Sequence, residues 1–151
     1  MEAVLDTSSW ISLARAGLLP LLERTPIRPV LLDVVHAEAV AAGLAGQHSD
    51  AAAIETVAAG LPVVETRPAD TADAAVLTAA RDVGVLVTND LALGRRAKNV
   101  GVLWLRTPDL ILLAPRGGEV RTREARHAVL ALRAVGRITS GLAASYLEEL
   151  T

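Results

Sequence analysis

The segment DTADAAVLTAARDVGVLVTND, residues 70–90, decides the fold class. Asp70 can cap a helix rich in alanine that runs to Val83, and Gly84 is typical of a helix C-terminus. The run Val85-Leu86-Val87 is apolar on both faces, as expected of a strand that is covered on both sides. A helix that leads directly into a buried strand indicates an α/β protein.

The same alternation of strand and helix patterns extends along most of the chain. Strands are predicted at residues 4–5, 30–32, 63–64 and 102–105, and helices at 10–14, 18–24, 34–42, 50–59, 91–98 and from 107 onward. This alternation predicts a mainly parallel central sheet with helices packed on it. After residue 113 the pattern changes to two helices, 122–135 and 139–150. We expect one domain over residues 1–151, with a core of about 1–113 and a helical extension of about 119–151, because about 30 residues bury little core alone.

Composition excludes several classes of protein. The 151 residues suit one domain, and the absence of cysteine excludes a disulfide scaffold and a thiolate metal site. The mean hydropathy is +0.40, yet no uncharged stretch approaches the roughly 18 residues of a membrane-spanning helix. Glu2 and Asp6 do not fit the basic first part of a signal peptide. We expect a cytoplasmic protein without a membrane segment.

Charge is distributed unevenly along the chain. The formal net charge is −2, but residues 1–90 hold 12 acids and 5 bases, whereas residues 91–151 hold 5 acids and 10 bases. Chance clustering on solvated helix faces is one explanation. The other is an acidic site flanked by a basic surface that contacts phosphates.

Four acids stand out from the acids of solvated helix faces. Asp6 and Asp90 each follow a predicted strand, and ligands of open parallel sheets bind at the carboxyl ends of the strands. Glu38 and Asp73 share helix faces with apolar residues at i, i+3 and i+4 spacing. Each acid has a simpler alternative: Asp6 and Asp90 as helix caps, Asp73 as a first-turn acid, and Glu38 at the rim of an amphipathic helix.

As a set, the four acids point to a divalent cation. Buried carboxylates are unfavourable unless they are paired, protonated or bound to a metal ion. The five arginines of residues 1–90 show no fixed spacing to these acids. Hard divalent cations prefer oxygen ligands, and Mg²⁺ or Mn²⁺ can activate water for attack on a phosphodiester.

The segments that hold these acids, in this order, resemble the PIN-domain family of metal-dependent ribonucleases, which includes VapC-type toxins. They are VLDTSSWISLARAGLL with Asp6, VVHAEAV with Glu38, and DTADAAVLTAARDVGVLVTND with Asp73 and Asp90. The resemblance covers about residues 1–112, and the rest is similar to the helical extension of a longer PIN subgroup.

The resemblance implies a three-layer α/β/α fold with an acidic pocket for Mg²⁺ or Mn²⁺. It implies that the metal-binding and catalytic residues are Asp6, Glu38, Asp73 and Asp90, with supporting groups from Thr7, Ser8 and Asn89. Asp70, one turn before Asp73, is an alternative third acid, and Val35 stands where many members have a hydroxyl residue. The implied reaction is hydrolysis of RNA, often by a homodimer, and toxins of this type are inhibited by a small antitoxin protein.

Basic side chains suggest where RNA would contact the protein. All but one of the 15 basic residues are arginine, which suits bidentate contact with phosphate. Arg95 and Arg96 follow Asp90 closely, and we expect them to contact the substrate. A second group marks the start of the extension: Arg116, Arg121, Arg123 and Arg126. A coding bias toward arginine on exposed helices is the alternative explanation.

Two other functions fit parts of the pattern. A non-catalytic PIN-like binding or assembly module would share the fold, but degenerate members usually lose at least one of the four acids. A phosphorylated receiver domain needs paired acids after the first strand and a lysine late in the sheet, whereas Asp6 stands alone and Lys98 lies in a predicted helix. We therefore predict a Mg²⁺- or Mn²⁺-dependent endoribonuclease, the toxin of a toxin–antitoxin pair.

Overall fold

A parallel β-sheet forms the centre of the protein. The computed structural model describes residues 1–41, 46, 49–66, 71–114 and 118–150, and within them the sheet has five strands. They are β1 (Glu2–Leu5), β2 (Arg28–Leu32), β3 (Val63–Val64), β4 (Val85–Val87) and β5 (Leu103–Leu105). Their order is β3-β2-β1-β4-β5, and every pairing is parallel. In the middle strand, Val4 is in register with Val30 of β2 and Leu86 of β4.

Helices cover both faces of this sheet. They are α1 (Thr7–Arg15), a 3₁₀ helix (Leu19–Arg24), α2 (Asp33–His36) continuing into a π-helical turn (Ala37–Ala41), α3 (Ser49–Ala58), α4 (Ala72–Val83), α5 (Leu91–Asn99), α6 (Thr107–Leu113), α7 (Gly118–Ala134) and α8 (Ser140–Glu149). Helix α1 packs against α3, α6 and α7, whereas α4 and α5 pack against each other and against β1, β4 and β5. Because crossovers between parallel strands are right-handed, the reversal of direction between β3 and β4 places these two groups on opposite faces. The α/β/α arrangement expected from the sequence is confirmed.

The strands around the middle of the sheet supply the centre of the hydrophobic core. Val4, Leu5, Leu86 and Val87 are fully buried, because parallel strands between two helical layers are covered on both faces. At the sheet edge, by contrast, Val63 and Val64 of β3 are 47% and 43% exposed.

The C-terminal helices α7 and α8 have a smaller hydrophobic cluster of their own with α6. It is centred on Val129, Leu132 and Tyr146, and Leu18 and Leu21 contact both this cluster and the main core. The extension therefore packs on the core through the 3₁₀ helix region and α6. That residues 1–151 form a single domain stays a prediction. Among the described helices, none combines the length and the apolar character that crossing a membrane requires.

The start of α4 differs from the sequence prediction. The helix begins at Ala72, and its N-cap is Thr71, whose side chain accepts a hydrogen bond from the Ala74 backbone N at 3.0 Å. Asp70, predicted as this cap, lies outside the described residues, as does Arg116. A threonine hydroxyl next to the helix can also satisfy one of the free backbone N–H groups of the first turn.

Candidate functional site

The carboxyl ends of β1 and β4 meet where the path of the chain across the sheet reverses. From β1 the chain proceeds to β2 and β3 on one side, and it later proceeds from β4 to β5 on the other. Open parallel sheets bind ligands at this position. An open cavity of about 550 Å³ lies here, and we call it the acidic groove; it is lined by Asp6, Thr7, Ser8, Ile11, Glu38, Ala72, Asp73, Val76, Asn89, Asp90, Gly136 and Arg137.

Asp6 is the one buried acid of the groove within the described residues, at 7% exposure. Its Oδ1 accepts a hydrogen bond from the Ser9 backbone N at 2.9 Å, and its Oδ2 accepts one from the Thr88 hydroxyl at 2.6 Å. Asp6 is therefore the N-cap of α1 as well as a wall of the groove. Burial raises the pKa of the Asp6 carboxyl and the charge of Asp73 adds to this effect, while the bonds to Ser9 and Thr88 lower it. The negative charge of Asp6 is thus only partly compensated, and a cation would stabilise it.

Thr88 connects the two acids that follow the central strands. It is fully buried, donates its hydroxyl to Asp6, and accepts a hydrogen bond from the Asp90 backbone N at 3.0 Å. The side chain of Asp90 in turn caps α5, because its Oδ1 accepts a bond from the Leu93 backbone N at 2.9 Å. This carboxylate is exposed and also lines the acidic groove.

Glu38 and Asp73 approach the groove from the two helical layers. Glu38 lies on the π-helical turn after α2, and its Oε2 accepts a hydrogen bond from the Thr7 hydroxyl at 3.1 Å. Asp73 lies in the first turn of α4. Both residues are exposed, whereas their spacing predicted apolar surroundings. A π-turn shifts the register of the side chains that follow it, and a first-turn residue lies at the end of the helix beyond the packed face.

Asn89 fixes the loop after β4. Its Nδ2 donates to the Thr107 hydroxyl, and its Oδ1 accepts a bond from the Thr107 backbone N, each at 2.9 Å. Thr107 is the fully buried first residue of α6. The amide of Asn89 therefore holds the loop that carries Thr88 and Asp90 against α6.

The C-terminal extension also reaches the groove. Arg137 lies in the turn between α7 and α8, and its side chain is half-buried. Its Nε donates to the Ser12 hydroxyl at 2.8 Å, and its Nη2 donates to the Ser8 hydroxyl at 2.7 Å. Burial and the neighbouring Arg15 lower the pKa of the Arg137 guanidinium, while Asp6 raises it. A positive charge is thus present at the edge of the acidic groove.

No basic side chain among the described residues forms an ion pair with an acid of the groove. Across the described ranges, ion pairs form between Arg15 and Asp50 and between Arg24 and Glu124, and His36 Nε2 lies 3.3 Å from Glu55 Oε2, but none of these contacts involves an acid of the groove. A set of carboxylates without matching bases suits Mg²⁺ or Mn²⁺ chemically. The distances between the acids, however, are too long for a formed metal site. Among the residues that the structure describes, no three Asp, Glu or His side chains stand close enough together to hold a metal ion. The donor chemistry fits a divalent cation, but the side chains would have to close around it.

The predicted site residues divide into two groups. The acidic groove brings together Asp6, Thr7, Ser8, Glu38, Asp73, Asn89 and Asp90. Arg95 and Arg96 are exposed on α5 and do not line the groove. Of the second arginine group, Arg121 lines a separate cavity of about 890 Å³ between the 3₁₀ helix and the extension, and Arg126 donates to the Leu147 carbonyl oxygen at 3.4 Å.

Sequence reasoning missed Thr88 and Arg137. Thr88 directly follows the predicted strand at residues 85–87, so its place between the strand and Asp90 was a usable signal. Arg137 had no such signal, because it is 129 residues from Ser8 along the chain and meets it only after folding.

This fold is similar, over most of the chain, to that of a protein of known structure. It is a PilT N-terminus domain protein from the hyperthermophilic archaeon Sulfolobus solfataricus P2, with a TM-score of 0.54 and 14% sequence identity. The match covers 79% of this chain and 98% of that protein. No family model matches the sequence, and no curated protein is similar to it at the sequence level. At this identity the likeness concerns the fold alone, and the chain therefore has a PIN-like α/β/α fold.

Proposed function

We propose that this protein is a metal-dependent endoribonuclease whose active site is the acidic groove. The observation that carries the proposal is the position of Asp6, which is buried at the carboxyl end of the middle strand and forms no ion pair with any basic side chain that the structure describes. Glu38, Asp73 and Asp90 line the same groove from three other elements. PIN-like folds are commonly those of nucleases, which adds support.

In this proposal the acids hold Mg²⁺ or Mn²⁺, with Asp6, Asp73 and Asp90 as ligands and Glu38 bound directly or through water. The ion, when bound, supplies activation of water and charge stabilisation at the phosphate. The hydroxyl of Thr88 orients Asp6, and that of Thr7 orients Glu38. These bonds leave each carboxylate with free lone pairs, because an ionised carboxylate accepts about four hydrogen bonds or metal contacts.

Purified protein and labelled single-stranded RNA test this function. We expect cleavage with Mg²⁺ or Mn²⁺ and none with EDTA. Asp73→Asn should abolish cleavage, whereas Asp82→Asn should not, because Asp82 lies on the same helix and is exposed but does not line the groove. Cleavage that persists in EDTA, or equal losses in both variants, would contradict a metal site at this groove.

The proposal includes a biological setting: the toxin of a toxin–antitoxin pair, present in the cytoplasm as a homodimer and inhibited by a small antitoxin protein. Expression of the wild-type chain in bacteria should then arrest growth, and expression of Asp6→Asn should not. Light scattering of the purified protein gives the oligomeric state. A short reading frame upstream, encoding a protein with a DNA-binding N-terminus, would support the toxin role.

A non-catalytic binding module is the second candidate, and one observation favours it. No three described acids are close enough to hold a metal ion as they stand. A titration with Mn²⁺ followed by NMR separates the two, because a paramagnetic ion broadens signals near its site. Broadening around Asp6 and Asp90 supports the nuclease, whereas protein that binds RNA without such broadening or cleavage supports the binding module.

A further inference from the structure

Arg137 differs from every other basic residue that the structure describes, because it alone lines the acidic groove. The turn that carries it depends on Gly136, whose φ of +72° is a conformation that favours glycine. The Arg137 backbone N donates to the Leu132 carbonyl oxygen at 3.0 Å, which closes the turn on the end of α7. The extension thus contributes Gly136 and one guanidinium to a groove whose other lining residues lie within the first 90 residues.

Neutral oxygens hold this guanidinium in place. Nε donates to the Ser12 hydroxyl, and Nη2 donates to both the hydroxyl and the carbonyl oxygen of Ser8, the latter at 3.2 Å. Ser12 also donates to the Ser8 carbonyl oxygen at 2.7 Å, so the two anchors are themselves connected. A guanidinium group that is hydrogen-bonded through two of its three nitrogens has lost most of its conformational freedom before any ligand binds.

Within the described part of the chain, Arg137 forms no ion pair and its Nη1 makes no hydrogen bond. Asp6 and Asp50 raise the pKa of its guanidinium, but both lie beyond ion-pair distance. The nearby Asp50 is instead paired with Arg15 at 2.9 Å. An arginine stays protonated at all ordinary pH values, so a fixed and unpaired guanidinium at a groove is prepared for an anion.

We propose that Arg137 binds a backbone phosphate of RNA that lies in the acidic groove, and that the C-terminal extension therefore completes the substrate site. This inference rests on the nuclease function proposed above, since it assigns a residue to the substrate of the same groove. Arg137 is a binding residue here, with no part in proton transfer. Its loss should weaken RNA binding and raise KM, while kcat changes little.

The sharpest test measures RNA binding without cleavage. Full-length Asp6→Asn protein and the double variant Asp6→Asn/Arg137→Ala are titrated with a fluorescent single-stranded RNA at several salt concentrations. We expect Arg137→Ala to weaken binding about tenfold or more, as for the loss of a charged hydrogen bond. The slope of log K against log salt should become shallower by about 0.7, the value for one phosphate contact on a single strand.

Arg133→Ala in the same background is the matched control. It removes one positive charge from α7, but Arg133 is exposed and does not line the groove. Affinity and salt slope should stay close to those of the parent. If Arg137→Ala behaves like Arg133→Ala in both measurements, the assignment of Arg137 is wrong even when the wild-type protein cleaves RNA. If the wild-type protein cleaves no RNA with Mg²⁺ or Mn²⁺, the proposed nuclease function fails, whatever the binding data show.

A second measurement covers the case in which Arg137→Ala loosens the extension. In the wild-type protein with EDTA, the Arg137 Nε–H resonance is followed by NMR while a short RNA is added. We expect this resonance to shift in a saturable way, with the same Kd as the fluorescence titration. A resonance that does not move while RNA binds elsewhere would overturn the proposal without any variant.

Discussion

Replacing Asp6 by asparagine should separate its part in the proposed chemistry from its part in folding. Asparagine is as good an N-cap as aspartate, so the bond from the Ser9 backbone N is retained. The buried charge disappears, and with it the penalty that raises the pKa of Asp6. The new amide nitrogen cannot accept the bond that Thr88 donates to Asp6, so the Thr88 hydroxyl has to turn and accept a bond from it instead. We therefore expect Asp6→Asn to fold with a stability close to that of the wild-type protein at pH 7 and to be inactive on RNA.

Replacing Asp6 by alanine should, by contrast, lower the stability of the folded protein. It removes the cap, at about 1 kcal/mol, and leaves the buried Thr88 hydroxyl without its acceptor, at about 1–3 kcal/mol. For a chain of this length, 1 kcal/mol corresponds to about 2–4 °C in Tm. Both variants lose the buried charge, so Asp6→Ala should melt about 5–15 °C below Asp6→Asn.

The raised pKa of Asp6 also determines how the stability of the protein changes with pH. The folded protein holds the proton of Asp6 more tightly than the unfolded chain, whose carboxyl has the ordinary pKa of 3.8. The free energy of unfolding therefore falls as the pH rises from 3.8 through the raised pKa of the folded state. At higher pH the buried charge is fully present, and the free energy of unfolding stays at this lower value. Because asparagine does not titrate, the stability of Asp6→Asn relative to the wild-type protein should increase as the pH rises from 3.8 to neutrality.

Chemical denaturation across this pH range, together with RNA cleavage, measures both effects. Mg²⁺ should also stabilise the wild-type protein more than Asp6→Asn, since ligand binding to the folded state raises its stability. Asp6→Asn as unstable as Asp6→Ala would refute the account of the cap and the buried charge. Full cleavage by a clean preparation of Asp6→Asn would refute the role of Asp6 in catalysis.

Three further substitutions examine contacts around the groove and in the extension. Thr88→Val removes the hydroxyl that donates to Asp6, and we expect a loss of about 1.5–3 kcal/mol in denaturation and slower RNA cleavage. Gly94→Ala would place a Cβ 2.0 Å from the ring of Trp104, so overpacking of about 1–3 kcal/mol should exceed the gain in helix propensity of about 1 kcal/mol, as followed by tryptophan fluorescence. Tyr146→Phe removes a 2.7 Å hydrogen bond to a carboxylate of α6 and should cost about 1.5–3 kcal/mol. Because burial raises the pKa of Tyr146, the wild-type protein, but not this variant, should lose additional stability as the pH rises above 10.

Matched variants distinguish these effects from general damage. Thr88→Ser retains the hydroxyl and should keep most of the activity that Thr88→Val loses. Gly141→Ala on α8 meets no atom within 4 Å, so it should raise stability by up to about 1 kcal/mol. If Gly94→Ala also raises stability, the close contact with Trp104 is not a constraint.

The acids that follow strands were predictable because their signals are local. Asp6 and Asp90 each come after a short apolar run and before a helix, and this order alone places a carboxylate at the carboxyl ends of the strands of a parallel sheet. Their role as helix caps follows from the same few residues, and in the structure both carboxylates cap helices and also line the acidic groove.

The position of Arg95 and Arg96 depended on packing. Helix α5 buries Leu93, Gly94 and Ala97, and the ring of Trp104 on β5 lies directly against Gly94. That contact sets the rotation of the helix and leaves Arg95 and Arg96 on its exposed side. Adjacency to Asp90 in the sequence therefore did not bring them to the groove.

Local patterning determined the α/β class, the parallel sheet and the acids at its carboxyl edge, because strand and helix periods, caps and buried runs involve residues within a few positions of one another. Tertiary structure decided which distant groups join them. Thr7 meets Glu38 across 31 residues, Thr88 meets Asp6 across 82, and Arg137 meets Ser8 across 129. Such contacts arise only after the helical layers and the extension have packed, since they depend on the rotation of each helix and the closure of each turn.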